Sequence, residues 1–215
     1  MRPHVFVDLD GTLTDSAPGI FAAILHALET LGAPRPDETA LRACIGPSLH
    51  ESFPRLGVPE ADVPRAMALY REHYMDGGVY DAKVYDGARE MLARLKEMGF
   101  RLALATAKPI AYAPLITRHF GLTPYFDAEF GSDLDGRFTD KRDLLKRCVA
   151  ETGADPARSF MLGDRRHDAV GALANGITPL GALWGFGGRE ELTAAGVAAL
   201  AGAPAEVADM VEDLR

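Results

Sequence analysis

The chain has 215 residues, of which 47% are hydrophobic and 25% charged, so it is long enough to bury a sizeable core and is not disordered. Its formal net charge is −8, and no run of Lys or Arg offsets this acidity, so we expect no nucleic-acid partner. No stretch reaches membrane-spanning length, and the opening MRPHVFVDLDG is too short in apolar residues for a signal peptide. We therefore expect a cytoplasmic protein without a membrane partner.

The first predicted element is a buried strand, followed by a helical region. HVFVDL (4–9) is a short apolar, β-rich run that stops at an acid, as parallel strands do. From about residue 16 to 85 the segments SAPGIFAAILHALETLGAP and EADVPRAMALYREHYMDGG have helical periodicity, and no convincing buried strand separates them. We interpret residues 16–85 as a helical insertion.

Strands then alternate with helices to the end of the chain. FRLALAT (100–106), SFMLGD (159–164) and TPLGALWG (178–185) are further apolar runs that predict strands. Helical patterns lie between them, and DGAREMLARLKEMG (86–99), KPIAYAPLITRHFG and KRDLLKRCVAETG each reach a glycine that predicts a helix end. This alternation indicates an α/β fold with a parallel sheet covered by helices on both faces.

The tetrapeptide DLDG occurs twice, at 8–11 and at 133–136, and the two copies have different settings. The first ends a predicted strand, so Asp8 and Asp10 point to the same side because strand side chains alternate. Gly11 then permits a tight exit from the strand. The second copy follows a weak strand lead-in, EFGS, and is most simply a solvated turn between two short extended pieces. The first pair is therefore the chemical one.

Four ordered motifs resemble those of the haloacid dehalogenase superfamily: DLDGTLTDS, LATAKP, DKRDLLKR and MLGDRRHDAVGALANG. In detail, the chain resembles the branch that holds phosphoglycolate phosphatases and related 5′-nucleotidases. The resemblance implies a Rossmann-like parallel-sheet core formed by residues 1–15 and 86–215. It also implies a helical cap of the C1 type, residues 16–85, inserted after the first strand.

The same resemblance implies a Mg²⁺-dependent phosphomonoester hydrolase that acts on small phosphorylated metabolites, with phosphoglycolate as the first candidate. Asp8 would be the nucleophile that forms an aspartyl-phosphate, and Asp10 the general acid and base. Lys141 would neutralise charge on Asp8 and on the phosphoryl group. Lys108 lies too close after Thr106 to match the lysine motif. The implied metal ligands are Asp8, the backbone carbonyl of Asp10, and Asp164; oxygen ligands suit Mg²⁺.

The remaining implied roles are phosphate binding, support of the site and substrate contact. Phosphate binding falls to Thr106 at a helix start, with Ala107 and Gly11. Asp168 would orient either Lys141 or a metal-bound water, although an exposed acidic helix start would explain it as well. Candidate substrate contacts in the cap are Gly46, Ser48, His50 and Arg71, where a plain helix connection and a solvated helix face are the alternatives.

Three other functions stay open at this point. A 5′-nucleotidase and a β-phosphoglucomutase-like phosphotransferase are rivals within the family. A phospho-accepting receiver module also gathers acids, a Thr and a Lys around Mg²⁺ on a doubly wound sheet. Such modules lack an inserted cap and a second catalytic acid, so the insertion and Asp10 favour the enzyme.

Overall fold

The structure is a computed structural model that describes residues 2–215, and these divide into two compact units. One unit comprises residues 2–14 and 84–215, and the other comprises residues 15–83. The sequence predicted changes of unit at residues 15–16 and 85–86, which are one and two residues further along the chain than the changes at 14–15 and 83–84. We call the first unit the core and the second the cap.

The core is built on a six-stranded sheet in the order β5-β4-β1-β6-β7-β8. Two short strands, β2 and β3, lie where the chain passes between the units. The strands are β1 (His4–Val7), β2 (Thr14–Asp15), β3 (Lys83–Val84), β4 (Arg101–Pro109), β5 (Ala128–Ser132), β6 (Phe160–Gly163), β7 (Thr178–Ala182) and β8 (Ala199–Ala201). All the pairings within the six-stranded sheet are parallel. The α/β parallel-sheet fold predicted from the sequence is confirmed.

Strand β1 occupies the middle of the sheet. Val5 pairs with Leu102 of β4 on one side and with Phe160 of β6 on the other. Each residue of β1 is buried, which explains why the strand reads as a continuous apolar run rather than an alternating one. The chain leaves β1 toward β4 and β5 and returns on the other side with β6, so the switch in strand order lies beside β1. Open α/β sheets place their sites at the carboxyl ends of strands at such a switch point.

Helices connect the strands of the core. They are α5 (Ala88–Glu97), α6 (Ala113–His119), α7 (Lys141–Thr152), α8 (Arg166–Ala174), α9 (Arg189–Ala194) and α10 (Val207–Asp213). Helix α7 ends at Gly153, which has φ of 65° and donates its N–H to the carbonyl of Val149, as the glycine signal predicted. Among the described residues, no helix has the length and apolar character needed to span a membrane.

Two strands of the six-stranded sheet, β5 and β8, were not predicted from the sequence. Ala128–Ser132 forms edge strand β5, where the sequence had indicated only a weak strand lead-in, EFGS. A Cβ on Gly131 would lie 2.6 Å from the carbonyl oxygen of Lys108, so this glycine permits the close approach of β5 to β4 rather than breaking the strand. The second DLDG does follow as a turn, in which Gly136 donates its N–H to the Asp133 carbonyl, but no extended piece comes after it. Strand β8, Ala199–Ala201, is too short for its residues to show the apolar pattern that predicts a strand.

The cap consists of four α-helices: α1 (Ala17–Leu31), α2 (Glu38–Arg42), α3 (Leu49–Arg55) and α4 (Val63–Met75). Helices α1 and α4 pack together and bury an apolar face that includes Ile24 of α1 and Tyr74 of α4. Gly19 donates its N–H to the Asp81 carbonyl at 3.0 Å, and a Cβ on Gly19 would lie 2.0 Å from the Gly78 carbonyl oxygen. Because Gly19 has no side chain, residues 78–81 at the end of the cap pack directly against α1.

Candidate active site

The carboxyl edge of the sheet gathers the side chains that the sequence singled out in the core. Asp8 follows β1, Thr106 lies in β4, Asp164 follows β6, and Lys141 begins α7. All four are buried, with at most 6% of the residue exposed. Polar groups are rarely buried this deeply unless they are paired or bind a ligand, so this edge of the sheet is the candidate active site.

Lys141 connects two of the carboxylates. Its Nζ lies 2.9 Å from Asp8 Oδ1 and 2.6 Å from Asp168 Oδ1, and it donates a hydrogen bond to the Ala105 carbonyl at 2.7 Å. Lys141 reaches inward because α7 begins there, with Asp140 as the N-cap whose side chain accepts the Arg142 N–H. Its ammonium is therefore shared between the proposed nucleophile and a second acid.

Asp168 contacts Lys141 and also caps a helix. It lies in the first turn of α8, is only 2% exposed, and accepts the Arg165 N–H on Oδ2 at 3.1 Å. A solvated acidic helix start is therefore wrong. Of the two supporting roles that the sequence left open, the structure shows the contact with Lys141. Gly163 leaves space for the Asp168 side chain, since a Cβ on Gly163 would lie 2.2 Å from Asp168 Oδ2.

Asp10 is held by Lys108, a residue that the sequence motifs did not assign to the site. Lys108 Nζ donates hydrogen bonds to both carboxylate oxygens of Asp10, at 3.0 and 2.8 Å. The sequence prediction ended β4 at Thr106, whereas the strand continues to Pro109. In a strand, residues two apart share a face, so a longer strand would have placed Lys108 beside Thr106 at the site. That spacing was the signal that could have found it.

Thr106 lies in β4 and not at a helix start, because α6 begins only at Ala113. The predicted phosphate site at a helix N-terminus is wrong in that respect. The Thr106 hydroxyl accepts the Lys108 N–H at 3.1 Å, and the Ala107 carbonyl accepts a hydrogen bond from Ser132 Oγ at 2.7 Å. These bonds fix the backbone of the strand end beside Asp8 and Asp10.

Asp164 is enclosed by the glycine-rich segment GFGG (185–188), which follows β7. Its Oδ2 accepts the Phe186 N–H at 2.7 Å, and its Oδ1 lies 3.4 Å from the Thr12 hydroxyl that donates to it. Gly11 has φ of +81°, and a Cβ there would lie 2.2 Å from Asp164 Oδ2. Trp184 donates its indole N–H to the Thr12 carbonyl at 3.0 Å, so this side chain links the start of the glycine-rich segment to the loop after β1.

The electrostatics of the acid cluster call for a cation. Carboxylate oxygens of Asp8, Asp164 and Asp168, all buried, lie within 4.8 Å of one another. Burial raises the pKa of Asp8 to about 6, against the opposing ammonium of Lys141. Burial raises the pKa of Asp164 well above its usual value, and the charges of Asp168 and Asp8 add to this. The ammonium of Lys141 contacts Asp8 and Asp168, but three clustered carboxylates carry more negative charge than one ammonium offsets, so an oxygen-preferring cation such as Mg²⁺ fits this cluster.

The candidate cap residues lie within their own unit as follows. Gly46 has φ of +103° in the connection before α3. Ser48 is the N-cap of α3, and its Oγ accepts the His50 N–H at 3.3 Å. Arg71 is half-buried in α4. The role of these residues in substrate contact stays a prediction.

The fold and the site together define an α/β enzyme core with an acid cluster and a lysine at the switch point of its sheet. A family model described as haloacid dehalogenase-like hydrolase matches residues 5–182. The chain belongs to the haloacid dehalogenase-like hydrolase family, as the motifs predicted, and it is an enzyme of the family's phosphatase type.

Relatives and solved structures extend this likeness. The chain is 40% identical over 193 residues to the 5′-nucleotidase of Pseudomonas aeruginosa, covering 89% of this chain and 87% of that one. It is 40% identical over 183 residues to the tyrosine-protein kinase PtkA of Mycobacterium tuberculosis strain H37Rv, covering 85% of this chain but only 62% of that protein. A crystal structure of a predicted phosphatase from Clostridium acetobutylicum is similar at a TM-score of 0.93, with 35% identity over 99% of both chains.

Proposed function

We propose that the protein hydrolyses phosphate monoesters of small metabolites through a phosphoryl group held transiently on Asp8. One observation carries the proposal: at the end of the central strand, a buried carboxylate has an ammonium 2.9 Å from its Oδ1. With a pKa of about 6, Asp8 is mostly ionised at pH 7 and needs no base to activate it. A carboxylate is a known nucleophile in phosphoryl transfer.

In the first step, an Asp8 oxygen bonds to phosphorus while the ester bond from phosphorus to the leaving oxygen breaks. Asp10 gives its proton to that oxygen, so the alcohol leaves neutral. The ammonium of Lys141 offsets the negative charge that accumulates between Asp8 and the phosphoryl oxygens. Thr106, Ala107 and Gly11 would position the phosphoryl oxygens.

In the second step, water attacks the phosphorus of the aspartyl-phosphate and loses a proton to Asp10. The bond from phosphorus to Asp8 breaks, which restores the Asp8 carboxylate and releases inorganic phosphate. The two steps together consume one water and one ester and return Asp10 to its starting protonation state. Asp10 thus acts once as acid and once as base.

Mg²⁺ would be held by Asp8, Asp164 and the backbone carbonyl of Asp10. When bound, it supplies positive charge that reduces the repulsion between an anionic nucleophile and an anionic phosphate. The chain contributes the rest of the positive charge through Lys141. Asp168 keeps that ammonium beside Asp8, since it lies 2.6 Å from Lys141 Nζ.

For the substrate, phosphoglycolate stays the first candidate from the motif resemblance. A nucleoside 5′-monophosphate is the second, because a 5′-nucleotidase is 40% identical to this chain. Transfer of the phosphoryl group to an acceptor other than water, as in a mutase, has support from the kinase relative, which is also 40% identical. No partner other than a small phosphorylated metabolite is proposed.

The test is a phosphate-release screen over a panel of phosphorylated metabolites, with Mg²⁺ and with EDTA. We expect Mg²⁺-dependent release, which Asp8→Asn abolishes while the circular dichroism spectrum is unchanged. Acid-quenched wild-type enzyme, digested and examined by mass spectrometry, should carry phosphate on Asp8. Undiminished hydrolysis by Asp8→Asn would refute the proposal. Labelled phosphate found on a sugar or a tyrosine peptide, rather than in solution, would favour the transferase.

A further inference from the structure

Lys108 contacts both carboxylate oxygens of Asp10, and the two reaction steps proposed for Asp8 and Asp10 assign no role to this lysine. Its Nζ lies 3.0 Å from Asp10 Oδ1 and 2.8 Å from Oδ2. The Lys108 side chain is 5% exposed and that of Asp10 is 14% exposed, so little solvent competes for the pair. This contact is separate from that of Lys141, whose ammonium faces Asp8 and Asp168.

The end of β4 is shaped to hold Lys108 in place. The pairing of β4 with β5 shifts register between Ala105 and Pro109, the stretch that contains Lys108. On one side the Lys108 N–H donates to Thr106 Oγ1 at 3.1 Å. On the other side, Gly131 of β5 lacks the Cβ that would lie 2.6 Å from the Lys108 carbonyl oxygen. These backbone contacts hold Lys108 in place independently of the contact between its side chain and Asp10.

We propose that Lys108 is a positioning residue that holds the Asp10 carboxylate in the orientation needed to take a proton from the attacking water. This inference rests on the proposed function. One ammonium that contacts both oxygens fixes the plane of the carboxylate, because rotation of that plane lengthens one of the two hydrogen bonds. Lys141 acts on the nucleophile, whereas Lys108 acts on the acid and base.

A substrate with a good leaving group separates the two steps. p-Nitrophenolate leaves without protonation, so formation of the aspartyl-phosphate from p-nitrophenyl phosphate does not need Asp10. Hydrolysis of that intermediate does need Asp10, because its carboxylate takes the proton from water. A misplaced Asp10 should therefore slow the second step alone with this substrate. With an alkyl phosphate, whose leaving oxygen must be protonated, both steps should slow.

The experiment compares wild type with Lys108→Met, which keeps the length of the side chain and removes its charge. In stopped flow with p-nitrophenyl phosphate and Mg²⁺, we expect a burst of p-nitrophenolate at the wild-type rate. Steady-state turnover should then be about 100-fold slower, the usual size of a general-base contribution. Acid quench should show phosphate accumulating on Asp8. With an alkyl phosphate, kcat should fall without a burst, and KM should change by no more than about twofold.

Lys108→Arg should recover part of the steady-state rate, since a guanidinium also contacts both oxygens of a carboxylate. The matched control is Lys146→Met, an exposed lysine of α7, which should leave both phases unchanged. If Lys108→Met does not fold by circular dichroism, Lys108→Gln takes its place in the same assay.

Two results would overturn the inference. A slower first turnover together with a raised KM would mean that Lys108 binds the substrate phosphate instead. Equal kinetics of Lys108→Met and wild type would mean that the contact has no role in turnover. If wild type itself forms no aspartyl-phosphate, the proposed function fails, and that failure is distinguishable because it does not depend on Lys108.

Discussion

A Cβ placed on Gly171 of α8 would lie 2.6 Å from the Cβ of Lys141 on α7 and 2.8 Å from the Lys141 carbonyl oxygen. The two helices therefore touch at the residue that supplies the ammonium of the site. Since Lys141 Nζ must reach both Asp8 and Asp168, any displacement of the start of α7 is transmitted to both carboxylates.

We expect Gly171→Ala to destabilise the protein although alanine favours a helix by about 1 kcal/mol over glycine. Overpacking at this contact should cost about 1–3 kcal/mol and should move Lys141, so kcat should fall about tenfold. Urea unfolding and steady-state kinetics measure both effects. Gly202→Ala is the control, because a Cβ there has its nearest neighbour at 3.5 Å, the flexible carboxylate of Glu206. A more stable Gly171→Ala with normal turnover would show that the contact is not tight.

Lys141→Met should abolish turnover and destabilise the fold. It removes the ammonium from two buried carboxylates and leaves Asp8 and Asp168 uncompensated, which costs about 3–5 kcal/mol for a broken buried ion pair. Urea unfolding in EDTA measures this cost. The exposed Lys146→Met on the same helix should be neutral, and equal stability of the two variants would contradict the buried ion pair.

The Asp8→Asn substitution should abolish turnover. It should also make the metal-free protein more stable than wild type at pH 7 to 8. Burial raises the pKa of Asp8 from 3.8 to about 6, so between these values the folded state binds a proton that the unfolded state does not. Stability of the wild type therefore falls as pH rises through this window, by about 3 kcal/mol at most. The stability difference between Asp8→Asn and wild type should shrink at pH 5, where wild-type Asp8 is largely protonated.

Urea unfolding in EDTA at pH 5 and pH 8 checks this sign. The control is Asp133→Asn, the matching residue of the second DLDG, which pairs with Arg137 and should show no such gain. A variant that is less stable than wild type at pH 8 would argue that the Lys141 ion pair outweighs the cost of burying Asp8.

Mg²⁺ should raise the melting temperature of wild type but not that of Asp164→Asn. A ligand at about 100 times its dissociation constant stabilises by about 2.7 kcal/mol, which corresponds to roughly 5–10 °C for a chain of this size. Differential scanning fluorimetry with and without Mg²⁺ measures the shift. Asp135→Asn, in the exposed turn of the second DLDG, should keep the full shift. An unchanged shift in Asp164→Asn would place the metal elsewhere.

The sequence by itself determined the central strands and the motif residues. An apolar run that ends at an acid predicts a buried strand with a polar end, and β1 and β6 follow that pattern at Asp8 and Asp164. Parallel strands end at one edge of a sheet, so the convergence of these acids could be anticipated before any contact was known. The family motifs then selected Lys141 from 23 basic residues.

Only the tertiary structure decided the features that depend on contacts between distant segments. Edge strands β5 and β8 take their hydrogen bonds from a neighbouring strand and have little apolar signal of their own. The pairing of Lys108 with Asp10 joins residues 98 positions apart, and it depends on β4 extending past Thr106. Polar residues at the end of a strand, such as those of β4 after Thr106, are predicted as a loop from the sequence. Hydrophobic periodicity alone does not show which hydrogen bonds a neighbouring strand will supply.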